Sequence, residues 1–149
     1  MSDLAVYSSL LLSAFLAATL LPGSSEALLT SFIATEKGTP FVLLAVATVG
    51  NVAGSAVNWG LGRFLIHYRD RKWFPVSEHR YRQALGWYER FGLWSLLFAW
   101  LPIVGDPLTV IAGTFRTRFP LFLLLVSIGK CGRYLVVVAA ASAWFGQGN

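Results

Sequence analysis

Four apolar, charge-poor runs dominate the chain, at 4–21, 40–62, 91–115 and 119–149. About 20 such residues suffice for a helix to cross a bilayer. The third run carries an interruption: its one charged side chain is Asp106, set between Pro102 and Pro107 with Gly105 directly before it. Each proline lacks a backbone donor, and glycine tolerates dihedrals other residues avoid, so the pattern predicts a helix broken near 101–107. Broken backbone at membrane depth survives only where protein or a water-filled cavity surrounds it. The tip of this segment is therefore the first place to look for function.

The interruption has a counterpart. Residues 20–26, LLPGSSE, lie against residues 100–106, WLPIVGD, at an offset of 80, and in both an acid stands four residues after a Leu-Pro proline. Pro22 thus matches Pro102 and Glu26 matches Asp106, with Pro22 and Gly23 the expected breakers of the first hairpin and Pro102, Gly105 and Pro107 those of the second. Fourteen residues after each acid a further proline, Pro40 or Pro120, opens an apolar run. A Gly-Arg-aromatic triplet, at 62–64 and 132–134, closes each theme with the offset slipped to 70. The expected architecture is an all-α membrane protein of one domain: half one at 4–65, a basic linker at 66–91 and half two at 92–145. Each half comprises a broken hairpin and one crossing helix, which gives an inverted repeat. A plain four-span topology is the alternative, with the first helix spanning. Charge favours the re-entrant form, which places nine basic loop residues inside and only Lys37 outside, against seven and three for four spans.

Composition agrees with a membrane protein: 56% of the 149 residues are hydrophobic and 13% charged. The net charge of +5 does not point to nucleic acid, because seven of the twelve basic residues cluster between Arg63 and Arg90. That is the signature of a cytoplasmic loop. Within the loop, Tyr81, Leu85 and Tyr88 follow Ser77 at helical spacing, which predicts an N-capped amphipathic helix lying on the membrane surface. His67 and His79 have no metal-pair spacing and are read as surface residues. The lone Cys131 excludes an internal disulfide. Asp3 ahead of the first apolar run, with no preceding Lys or Arg, argues against a cleaved signal peptide.

Two further patterns carry chemistry. Asn51, Ser55, Asn58 and Gly62 recur along one face of the second run. With Gly50 and Gly54 they suit close helix packing, but the polar residues equally suit a pathway lining. In the last run Lys130 and Arg133 lie one turn apart at membrane depth, where cations need partners. Glu26 and Asp106 are the carboxylates at comparable depth, so the expected site is a buried cluster of these four groups. A structural ion-pair network is the alternative, although such networks are costly ways to gain stability. Arg116 and Arg63 are further candidate anion-binding cations. No cofactor or metal is implied, and no Ser-His-acid, metal-ligand or phosphate-loop pattern suggests an enzyme.

Together LPGSSE, GNVAGSAVNWGLGRF, WLPIVGDPLTVIAG and GKCGRY resemble the DedA or VTT-domain membrane proteins, most closely their short YqaA-like branch. The resemblance covers about 20–134. It implies two opposed re-entrant hairpins, a bacterial inner-membrane location and lipid movement, with polyprenyl phosphates or phospholipids as cargo and a link to the proton-motive force and envelope homeostasis. Many relatives keep an arginine three residues before the second hairpin proline and another three after it. Here Ala99 and Gly105 stand in those places, so Arg116, Lys130 and Arg133 are the candidate substitutes. The expected function is a proton-coupled lipid flippase using Glu26 and Asp106. An uncoupled scramblase and a non-transporting organising partner are the alternatives, and a homodimer is one assembly the short chain allows.

Overall fold

All regular structure in the computed structural model is helical among the residues it describes, 2–19, 24–64, 67, 76–101 and 104–146. The order is α1 (Asp3–Thr19), α2 (Ser24–Ala34), α3 (Pro40–Phe64), α4 (Glu78–Phe91), a 3-10 segment (Gly92–Phe98), α5 (Gly105–Thr114) and α6 (Phe119–Gly146). Among the described residues, two helices are long and apolar enough to cross a membrane, within Pro40–Phe64 and Phe119–Trp144. Prolines open both: Pro40 is the first residue of α3 and Pro120 the second of α6, where a missing backbone donor costs nothing.

α3 is the axis on which α1, α5 and α6 pack. A Cβ placed on Gly50 would lie 2.5 Å from the Leu11 carbonyl oxygen, and one on Gly54 would lie 2.6 Å from that of Phe15. Both contacts advance together along the chain, so α1 and α3 run in the same direction and α2 must return the chain between them. The amide Nδ2 atoms of Asn51 and Asn58 donate to the carbonyls of Ala14 and Ala18, each at 2.9 Å. In lipid, with little hydrophobic drive between helices, close backbone approach and interhelical hydrogen bonds hold such a seam. A second crossing joins the halves. Cβ atoms on Gly62 and Gly113 would each sit 1.9 Å from a carbonyl oxygen of the opposite helix, of Val110 in α5 and of Trp59 in α3.

Three apolar clusters follow from this frame. Val6, Leu10, Leu29, Phe32, Leu43 and Tyr134 tie α1, α2, α3 and α6 together. Leu96, Ala99, Ala112, Phe122 and Val126 join the 3-10 segment, α5 and α6. The third cluster corrects an expectation. α4 begins as the pattern predicts, with the Ser77 hydroxyl accepting from the Arg80 amide at 3.3 Å, but its apolar stripe is not left for the membrane surface. Tyr81 and Ala84 are buried with Val104, Leu108 and Ile111. The stripe packs on α5 instead, in a cluster that Leu61 of α3 also joins. Tyr88 fixes the far end of α4, stacking on Phe115 at 4.9 Å and hydrogen-bonding the Thr117 hydroxyl at 3.1 Å.

Candidate functional site

The expected break in the third apolar run is present: the chain forms a 3-10 segment to Phe98, turns, and resumes as α5 at Gly105. Pro107 falls in the first turn of α5, where a proline fits. Gly105 serves differently from the expectation. Its φ is not positive, and the requirement is space, since a Cβ there would meet the Ala99 carbonyl oxygen at 2.2 Å. Pro22, Gly23 and Pro102 lie outside the described residues.

The break sets Asp106 at the second position of α5, and Glu26 holds the third position of α2. Both acids therefore sit in a first helical turn, where exposed backbone N–H groups and the helix dipole favour negative charge. Both also face α6. Lys130 Nζ donates to Asp106 Oδ1 at 2.7 Å, with the lysine side chain 0% and the aspartate side chain 20% exposed. Arg133 Nη2 pairs with Glu26 Oε1. Both Glu26 oxygens are shielded from solvent. Beside it the Ser25 hydroxyl and the fully buried Tyr134 hydroxyl share a 2.7 Å hydrogen bond.

The four groups expected to meet are thus organised by one helix as two adjacent pairs, Asp106–Lys130 and Glu26–Arg133. α6 supplies both cations, one turn apart, while α2 and α5 each supply one acid. The arrangement draws on both ends of the chain and holds two carboxylates beside two fixed positive charges within otherwise apolar packing. Chemically it can offer a cation to an anion.

Other candidates stand apart. Arg116 is exposed at the turn between α5 and α6, with a φ of 57°. Lys130 lies eleven residues beyond the start of α6, about 16 Å along the axis. Arg63 is near the same end as Arg116, its guanidinium 5.1 Å from the centre of the Phe64 ring. The structure brings neither to the two pairs. Asn51, Ser55 and Asn58 are all buried. Two of them use their amide nitrogens for the α1 seam, yet Asn51 Oδ1, Ser55 Oγ and Asn58 Oδ1 have no hydrogen-bond partner. The stripe therefore holds α1 and α3 together and also leaves a row of open acceptors. The Ser25–Tyr134 bond has no signal in the sequence pattern, since the two residues are 109 apart.

The described residues form an all-helical fold with two helices of membrane length, α3 and α6, and with ion pairs that join α6 to the short helices α2 and α5. The particular family follows from comparison with known proteins. The VTT domain matches residues 21–143. The chain is 38% identical over 140 residues, 94% of both chains, to the inner membrane protein YqaA of Escherichia coli strain K12, and equally to that of Shigella flexneri. It is 34% identical over 134 residues to an uncharacterized protein of Haemophilus influenzae, covering 85% of this chain and 82% of that one. The chain belongs to the VTT-domain, or DedA, family. No solved structure matches it.

Proposed function

We propose that this protein moves a lipid or lipid-linked phosphate across the bacterial inner membrane, coupled to protons, and so supports envelope homeostasis. The observation that carries the reading is the pairing of Glu26 and Asp106 with Arg133 and Lys130 on a single apolar helix. Ionisable groups at such depth are expensive and mark transport pathways and proton relays. Lys130, with no exposed surface, is an extreme case of that cost. The relatives named as inner membrane proteins support the location.

In this reading α3 and α6 cross the bilayer, and α1–α2 and the 3-10 segment with α5 enter from opposite sides as re-entrant hairpins. The basic linker lies in the cytoplasm. Each acid stands where a hairpin resumes as a helix. The halves are unequal in one respect that bears on mechanism. At the offset of 80, the positions of Lys130 and Arg133 fall on Gly50 and Ala53 in α3, so one crossing helix carries the charge and the other the close seam with α1. Proton binding to a carboxylate releases its cation, and the released cation meets the phosphate of the cargo, with arginine the better bidentate partner.

The test is lipid translocation by the purified protein in proteoliposomes, followed with a headgroup-labelled phospholipid. Wild-type protein accelerates translocation over protein-free vesicles, and Glu26→Gln and Asp106→Asn each reduce the rate. Full activity in both variants would remove the two carboxylates from the mechanism.

A further inference from the structure

α6 has a second face at this site. Ile128, Gly129, Gly132, Arg133, Val136 and Val137 follow one another at helical spacing, and with Leu97 and Trp100 they line a groove of about 630 Å³. That lies within the roughly 300–1,000 Å³ typical of small-molecule sites. The walls are apolar except for Arg133. At Gly129 the groove is pinched, since a Cβ there would approach the Leu97 carbonyl oxygen to 2.9 Å. One turn on, a Cβ on Gly132 would meet nothing within 4 Å, so the absent side chain leaves the floor open. Trp100, Ile128 and Val136 are exposed along its rim. In a membrane-spanning helix that rim faces the lipid.

We infer that this groove is a lateral seat for an anionic phospholipid, with a chain along Gly132 and Val136 and the phosphate on Arg133 in competition with Glu26. The inference deepens the transport reading and rests on it. Charge complementarity selects the occupant: an apolar groove whose lining includes one cationic residue, Arg133, fits an amphiphile with one anionic head. A guanidinium carries five N–H donors, more than the two oxygens of Glu26, which meets it at Nη2, can occupy. A phosphate arriving from the groove reaches the same cation from the bilayer side. There it competes with Glu26 for the guanidinium.

The test uses the full chain purified in detergent, with thermal unfolding followed during titration with dioleoyl phosphatidic acid and, separately, dioleoylglycerol. Phosphatidic acid is expected to raise the wild-type Tm, and the uncharged lipid to leave it unchanged. Glu26→Gln removes the competitor, so the concentration for half-maximal shift falls about tenfold, the scale of one charge-assisted hydrogen bond. Gly132→Trp fills the floor and abolishes the shift while leaving the lipid-free Tm and the oligomeric mass as in wild type. If Gly132→Trp does not fold, Val136→Trp on the exposed wall takes its place. A shift retained in the blocked variant, an equal shift with dioleoylglycerol, or a blocked variant that changes oligomeric mass would each overturn the inference, the last by marking the face as a contact between copies. The two readings fail separately. Lipid translocation unaffected by the blocking substitution removes the groove and keeps transport, whereas binding as described without translocation by wild type removes transport and keeps the groove.

Discussion

Replacing Asp106 by Asn leaves the Lys130 ammonium, whose side chain is 0% exposed, without its carboxylate. Breaking a buried pair by removing one partner costs about 3–5 kcal/mol, because the remaining charge is uncompensated. Replacing Lys130 by Met has a smaller cost. The stranded Asp106 is 20% exposed and sits in the first turn of α5, where the helix dipole contributes about 0.3–1 kcal/mol to a negative charge. The expected loss is about 1–3 kcal/mol, that of an unsatisfied buried polar group. Making both substitutions removes both charges, so no buried ion is left uncompensated. The double variant should therefore be more stable than Asp106→Asn alone. Unfolding in detergent micelles, followed by tryptophan fluorescence, measures all four corners of the cycle. Additive losses in the double variant, or a larger loss for Lys130→Met than for Asp106→Asn, would refute the asymmetric buried pair.

Gly62→Ala and Gly113→Ala should each cost about 1–3 kcal/mol or more by forcing α3 and α5 apart, whereas Gly60→Ala, whose Cβ meets nothing within 4 Å, should be neutral in the same unfolding assay. Asn51→Leu and Tyr134→Phe should each lower stability by about 1 kcal/mol, the value of one interhelical hydrogen bond to Ala14 or Ser25. Ala84→Arg should undock α4 from α5, which limited proteolysis would show as faster cleavage within 65–91 than in wild type.

The parts of the fold that were legible in the sequence are those set by composition and by backbone chemistry. Long apolar runs opened by Pro40 and Pro120 identify α3 and α6, and the break near Gly105 follows from prolines that cannot continue a helix. Charges forced into an apolar run demand partners, so the four site residues could be named, and the structure pairs all four. Which acid meets which cation was not legible, because it depends on how far α2 and α5 reach along α6. The role of α4 was misread for a related reason. An amphipathic pattern states that one face needs cover, and membrane surface and helix α5 satisfy the same pattern. Gly105 shows the same limit: a glycine at a break suggests unusual dihedrals, whereas the actual demand is the nearby Ala99 carbonyl. Charge alone groups Arg63 and Arg116 with the site, whereas the turn at Phe115–Thr117 sets Arg116 at the end of α6 away from Lys130, with Arg63 near that same end.

The account turns on whether protons and lipid share the site made by Glu26, Asp106, Lys130 and Arg133. The direct measurement is phospholipid translocation in proteoliposomes at matched internal and external pH and again with an imposed pH gradient, for wild type and for Glu26→Gln. Faster translocation of the wild type under the gradient, with that acceleration lost in Glu26→Gln, is the predicted result. Translocation at one rate in both conditions, unchanged by the substitution, would contradict proton coupling through this site.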